Sequence, residues 1–224
     1  MNAAINALFV LISTNAVVRF SLAMKRSSKE SQTKLFAIAE GQGGFFTAKQ
    51  AAEAGFDRTH HAYHVRVGNW QREYRGIYRL TQFPIPERPD LILWSLWSRN
   101  REDQAQGIYS HQTALSIYDL SDLMPAKLHM TVPHNFRRSA QIPPILVLHF
   151  DDVPADEVEE REGYRITRPI RAVVDASKEV SADLLSQAFS EARTRGLITE
   201  IDIEHYSDRL PSFLLGQDKH RKAA

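Results

Sequence analysis

The chain has 224 residues, 43% of them hydrophobic and 25% charged, with a formal net charge of +1. That length suits one or two domains, and the composition is ordinary for a globular protein. With no cysteine, disulfides and Cys-ligated zinc are excluded, while the cellular compartment stays open.

Residues 1–24 read MNAAINALFVLISTNAVVRFSLAM. The apolar run Ala7–Ile12 is too short to span a bilayer, and Asn2, Asn6, Ser13, Thr14 and Asn15 interrupt the segment. A signal peptide needs a basic start, yet the first charge is Arg19. Met24-Lys25-Arg26-Ser27 looks like a natural cytoplasmic start. The segment is therefore expected to be an upstream extension from a misassigned start codon, with a membrane anchor as the alternative.

Residues 25–80 are expected to form a winged helix-turn-helix. A first helix over 29–40 contributes Leu35, Phe36 and Ile38 to its core. Gly41-Gln42-Gly43-Gly44 is a turn; no Gly-Lys-Ser/Thr follows, so it is no phosphate loop. A short apolar strand leads to Thr47-Ala48-Lys49-Gln50, which matches a capping box. Gly55 ends that helix, and Asp57 caps the next one, which runs to about Val67 with Gly68 closing it. His61, His64 and Val65 form its inward stripe. The opposite face carries Arg58, Thr59, Ala62, Tyr63 and Arg66, with His60 beside them.

After Gly68 the pattern alternates, as in a hairpin. Trp70 and Arg72 sit on one strand, Ile77 and Arg79 on the next, joined by Tyr74-Arg75-Gly76. Such an order is a scaffold whose usual partner is duplex DNA. The expected contacts are Arg58, Thr59, His60, Tyr63 and Arg66 in a major groove, and Arg72, Tyr74, Arg75 and Arg79 from the wing. Charge agrees. Residues 25–80 hold ten basic against five acidic residues, a net +5, whereas 81–224 carry a net −5. A basic small domain is the electrostatic footprint of nucleic-acid binding.

Thr81–Pro89, with prolines at 84, 86 and 89, is expected to be a linker. The back half, 90–210, reads as an α+β domain with a small sheet and several helices. Asp90–Arg99 is a helix apolar nearly all round, so it is expected to be buried between the two halves. Ser110 is expected to cap a helix from His111 to Tyr118. Strands are expected at Lys127–Val132, half-buried, and at Ile145–Phe150 and Tyr164–Thr167. Helices follow from Pro169 to about Ser177, over Ser181–Arg195, and from Thr199 to about Ser207. Residues 211–224 read as a flexible tail.

No catalytic set is visible, and no metal or cofactor is expected. His60 and His64 have metal-binding spacing, but no further ligand is placed to complete a site. Nothing local completes a nucleophile arrangement at Ser110-His111. Asp151, Asp152, Asp156, Glu157, Glu159, Glu160 and Glu162 form an acidic cluster that reads as a solvated loop and turn. A protein-interaction surface is its second reading.

These motifs resemble the AbiEi family of antitoxins from type IV toxin–antitoxin systems. In the front half the matching pieces are Phe46-Thr47-Ala48-x-Gln50-Ala51, Gly55, His64-Val65-Arg66-x-Gly68-Asn69-Trp70 and Arg75-Gly76-Ile77-Tyr78-Arg79-Leu80. Behind them come Tyr109-Ser110-His111-x-Thr113-Ala114-Leu115, His129-Met130-Thr131-Val132-Pro133, Thr167-Arg168-Pro169-x-Arg171-x-x-x-Asp175 and Gly196-Leu197-Ile198. The resemblance runs from about residue 30 to 205. It implies a cytoplasmic, non-enzymatic protein of phage-defence type with two jobs. The front domain would bind inverted repeats in its own promoter and repress the operon. The back domain would neutralise a nucleotidyltransferase-like toxin without needing a stable complex. A stand-alone regulator is the alternative reading. A nuclease is the remoter one, since no strand-borne Asp is followed by Glu-x-Lys.

Overall fold

The computed structural model describes residues 28–138 and 141–216. The expected N-terminal extension and the end of the tail lie outside the described residues. The fold is mixed α+β, as expected, and divides into two compact units between Leu96 and Trp97. No helix among the described residues is long and apolar enough to cross a membrane.

The first unit opens with helix α1, described over 28–40. Strand β1 (Phe45–Thr47) and helix α2 (Ala48–Glu53) follow. Thr47 Oγ1 accepts the Gln50 N–H at 3.1 Å, and Gln50 Oε1 accepts the Thr47 N–H at 2.8 Å, so the expected capping box is closed. The next helix starts as a 3₁₀ turn (Arg58–His60) and continues as α3 (His61–Arg66). Asp57 caps the turn by accepting the Thr59 N–H at 2.8 Å.

Strands β2 (Trp70–Tyr74) and β3 (Ile77–Leu80) complete an antiparallel sheet in the order β1-β3-β2. Trp70 is the hub of one sheet face. Its ring meets Phe46 edge-on at 4.9 Å and stacks on His64 at 4.6 Å. Leu35, Ala39, Ala51, Ala54 and Leu80 close the core around it. Aromatic pairs of this kind contribute about 0.5–1.5 kcal/mol each beyond their buried area. Phe36, expected in this core, is instead 40% exposed and leans on Phe83 at 4.7 Å.

The other sheet face holds Phe45, Ile77 and Arg79, and it too is buried. Residues 83–94 cover it. Gly44 approaches Phe83 so closely that a Cβ there would lie 2.6 Å from the Phe83 Cβ. Tyr74 meets Trp94 of helix α4 (Pro89–Trp97) edge-on at 5.0 Å. The proline-rich stretch expected to be a linker is therefore a packed layer of the first unit.

The second unit is built on a five-stranded mixed sheet in the order β6-β5-β4-β8-β7. Its strands are β4 (Ile108–Tyr109), β5 (Leu128–Val132), β6 (Leu146–Phe150), β7 (Val158–Arg161) and β8 (Tyr164–Thr167). Strand β5 pairs antiparallel with β4 and parallel with β6. All five of its residues are buried, where alternation predicted one wet face. Helices α5 (His111–Ile117), α6 (Pro169–Ala176), α7 (Ala182–Thr194) and α8 (Glu200–His205) pack the core with Leu115, Val173, Leu185 and Phe189.

Three expectations need correction here. Val158–Arg161, read as solvated loop, pairs with Tyr164–Thr167 as a hairpin. Ser212–Gly216, read as tail, forms a ninth described helix, α9, with Leu214 fully buried. Ser110 does not cap α5 with its side chain; its Oγ accepts a hydrogen bond from Thr131 at 2.7 Å instead.

Candidate nucleic-acid interface

The helix-turn segment turns His61 and His64 toward Trp70 and most of its polar side chains away from it. His61 is buried beside Trp70 at 5.2 Å, with its Nε2 3.1 Å from the Phe56 carbonyl. His64 is half-buried, and burial first, then the His61 and His60 charges, hold it below the usual histidine range. Turned outward are Arg58, Thr59, His60, Tyr63 and Arg66, all exposed. The Arg66 guanidinium sits over the Tyr63 ring at 5.7 Å, and Tyr63 itself is 50% exposed. The Thr59 hydroxyl donates to Asp57 Oδ1 at 2.7 Å, so only its lone pairs remain for a ligand.

The hairpin adds two cations to this set. Arg72 is exposed and lies opposite Tyr78, whose ring touches His61, so Arg72 stands on the α3 side of the sheet. Arg75 is exposed at the tip, where Gly76 takes φ +75 to close a two-residue turn. Among the described residues, Arg58, Arg72 and Arg75 take part in no ion pair. Desolvating such a cation against a phosphate breaks no internal contact.

Two expected contacts are corrected. Arg79 is only 6% exposed. Its Nε donates to Glu73 at 3.0 Å, and its terminal nitrogens donate to the Gln71 side chain at 2.9 Å and the Phe83 carbonyl at 3.2 Å. Each of the three guanidinium nitrogens thus donates within the fold. Tyr74 is half-buried against Trp94. A register shift between Arg72 and Tyr74 leaves Glu73 unpaired in the ladder and lets it reach Arg79. Alternation placed Arg79 on the correct strand but could not show that residues 83–94 cover its face.

Asp152 and Asp156 of the acidic cluster are exposed, as expected, but Asp151 and Glu157 are tied into the second unit. Arg171 is buried and its guanidinium is shared among Asp175 (Nε to Oδ1, 2.7 Å), Glu157 and Asp151. Arg209 adds a second contact to Glu157 at 3.0 Å. Against the pull of burial, these hydrogen bonds and charges hold Asp151 and Glu157 below the usual carboxylate range. Burial wins at Asp175 and pushes it up to about 6, and its Oδ2 is buried without a hydrogen-bond partner. Arg171 thus occupies the space between the three carboxylates. The Arg171-x-x-x-Asp175 motif is one helical turn of that ion-pair cluster.

Residues 34–81 match the family described as "Transcriptional regulator, AbiEi antitoxin". The match runs from within α1 to just past β3 and so contains Arg58, Arg66, Arg72 and Arg75. No curated protein matches the chain. Among solved structures, the crystal structure of the RV2827C protein from Mycobacterium tuberculosis is similar at 14% identity, with 71% of each chain covered and a TM-score of 0.42.

Proposed function

We propose that the first unit is a winged helix-turn-helix that binds duplex DNA in its own promoter, and that the protein is an autorepressing antitoxin of a type IV toxin–antitoxin system. The observation that carries this reading is one surface: Arg58, Tyr63 and Arg66 on the second helix and Arg72 and Arg75 on the hairpin, all exposed, inside the segment that matches the antitoxin regulator family. A recognition helix reads base edges while flanking cations hold phosphates. The contact set is Arg58, Thr59, His60, Tyr63, Arg66, Arg72 and Arg75. Arg79 and Tyr74 support the hairpin from within.

The second unit, in this reading, neutralises a nucleotidyltransferase-like toxin encoded next door, without catalysis of its own. Its burial of carboxylates around Arg171 supports a structural rather than a catalytic use of them. Co-expression tests this half. The full chain should restore growth to cells making the neighbouring gene product, and Arg75→Ala should restore growth equally while losing repression. A harmless neighbouring gene, or no rescue by the full chain, would leave only a stand-alone DNA-binding regulator.

A further inference from the structure

The second unit brings together three histidines and a glutamate that are far apart in the sequence. Parallel pairing of β5 and β6 sets Thr131 opposite His149. His129 lies two residues before Thr131 and so shares its sheet face. His111 opens α5 directly after β4, and Glu179 follows the end of α6. His129 Nδ1 lies 3.0 Å from His149 Nε2 and 3.2 Å from Glu179 Oε2. His149 Nδ1 lies 3.9 Å from Glu179 Oε1. The His111 ring stacks on His149 at 3.6 Å, and His111, His149 and Glu179 each place a donor atom within 4.8 Å of the other two.

We propose that His111, His149 and Glu179, with His129 beside them as a hydrogen-bond partner, form a binding site for one transition-metal ion of the Zn²⁺ class. Bonds of about 2.0–2.1 Å to one ion hold such donors within about 4 Å of one another, so small side-chain rotations bring the donor atoms of His111, His149 and Glu179 onto it. Imidazole and carboxylate are the donors that such an ion selects. A supporting shell is already in place. His111 Nδ1 lies 2.9 Å from Ser110 Oγ, which accepts from Thr131 at 2.7 Å, and that leaves Nε2 to face the ion. His111 also takes φ +52, a costly conformation for a residue with a side chain, and it aims the ring across His149. The bound ion would tie the segment after α6 to strands β5 and β6.

The test is titration of the tag-free, metal-stripped full chain with Co²⁺ and then Zn²⁺. A single saturable cobalt spectrum at one ion per chain is expected, lost when zinc is added. Zinc should also raise Tm, because the ion binds the folded state alone. Glu179→Gln, at a partly exposed carboxylate, and His149→Ala should each weaken binding on the order of 100-fold or more and abolish the Tm rise. His205→Gln, at an exposed histidine elsewhere, should change neither readout. Should His149→Ala fail to fold, Glu179→Gln alone decides. No saturable binding, or wild-type affinity in Glu179→Gln, overturns the site and shows that the four residues only hydrogen-bond to one another.

Discussion

Arg75 stands exposed at a hairpin tip and, among the described residues, makes no ion pair, whereas Arg171 lies buried among three carboxylates. The first unit concentrates unpaired cations on its surface; the second encloses its most important cation in a cluster of opposite charge. The same residue type is therefore left bare on the surface of one unit and used in folding in the other. Arg79 shows that the distinction is made by covering layers and not by position in the chain. It sits four residues from Arg75, yet it behaves like Arg171 because residues 83–94 seal its face. A cation held by the fold has no capacity left for a ligand. A cation left bare on a rigid hairpin costs little stability and remains available.

The comparison predicts opposite consequences for removing each kind of arginine. The largest effect should come from Arg171→Ala. It leaves Asp175 buried without its counter-charge and Glu157 with Arg209 alone, which costs about 3–5 kcal/mol. Urea unfolding of the second unit measures this, and an unchanged midpoint would show that the cluster is not structural. Asp175→Asn sharpens the same point through pH. The folded-state pKa of Asp175 is about 6, raised above its ordinary 3.8 by burial. Stability from its protonated form is complete below about pH 4 and is lost as pH rises through about 6. Asparagine keeps the acceptor for Arg171 and never ionises. The variant should therefore gain stability relative to the wild type between pH 4 and pH 7, and a difference flat with pH would contradict the assignment. Arg79→Ala should cost about 1–3 kcal/mol by leaving Glu73 and Gln71 without their partner. It should leave the salt dependence of DNA binding unchanged. A lower salt slope in this variant would return Arg79 to the interface.

Much of the first unit was legible because its signals are local. The capping box at Thr47, the Asp57 cap and the Arg75-Gly76 turn each lie within a few residues, and each is present as read. Alternation also gave the strand that holds Arg79. It failed on burial because a period of two says which side chains share a face, not what lies over that face. The second unit was harder to read for the same reason on a longer scale. Val158-Glu159-Glu160-Arg161 has almost no apolar alternation, so an edge strand looked like solvated loop. His129, His149 and Glu179 are separated by 20 and 30 residues and meet only through the β5–β6 register and the placement of the segment after α6. Local reading examined His60 and His64 for a metal because their spacing is visible. The spacing that gathers the other histidines exists only after the sheet forms.

The central claim is that the bare arginines of the first unit hold DNA and the covered one does not. It is tested most directly by titrating the wild type, Arg66→Ala, Arg75→Ala and Arg79→Ala on the upstream region at several salt concentrations. Loss of a base contact by Arg66 should cost about 1–3 kcal/mol of discrimination between operator and unrelated duplex. Loss of a phosphate contact by Arg75 should lower the slope of log affinity against log salt by about one. Arg79→Ala, tested where it is still folded, should keep the wild-type slope and discrimination. Unchanged binding in both Arg66→Ala and Arg75→Ala would contradict the account.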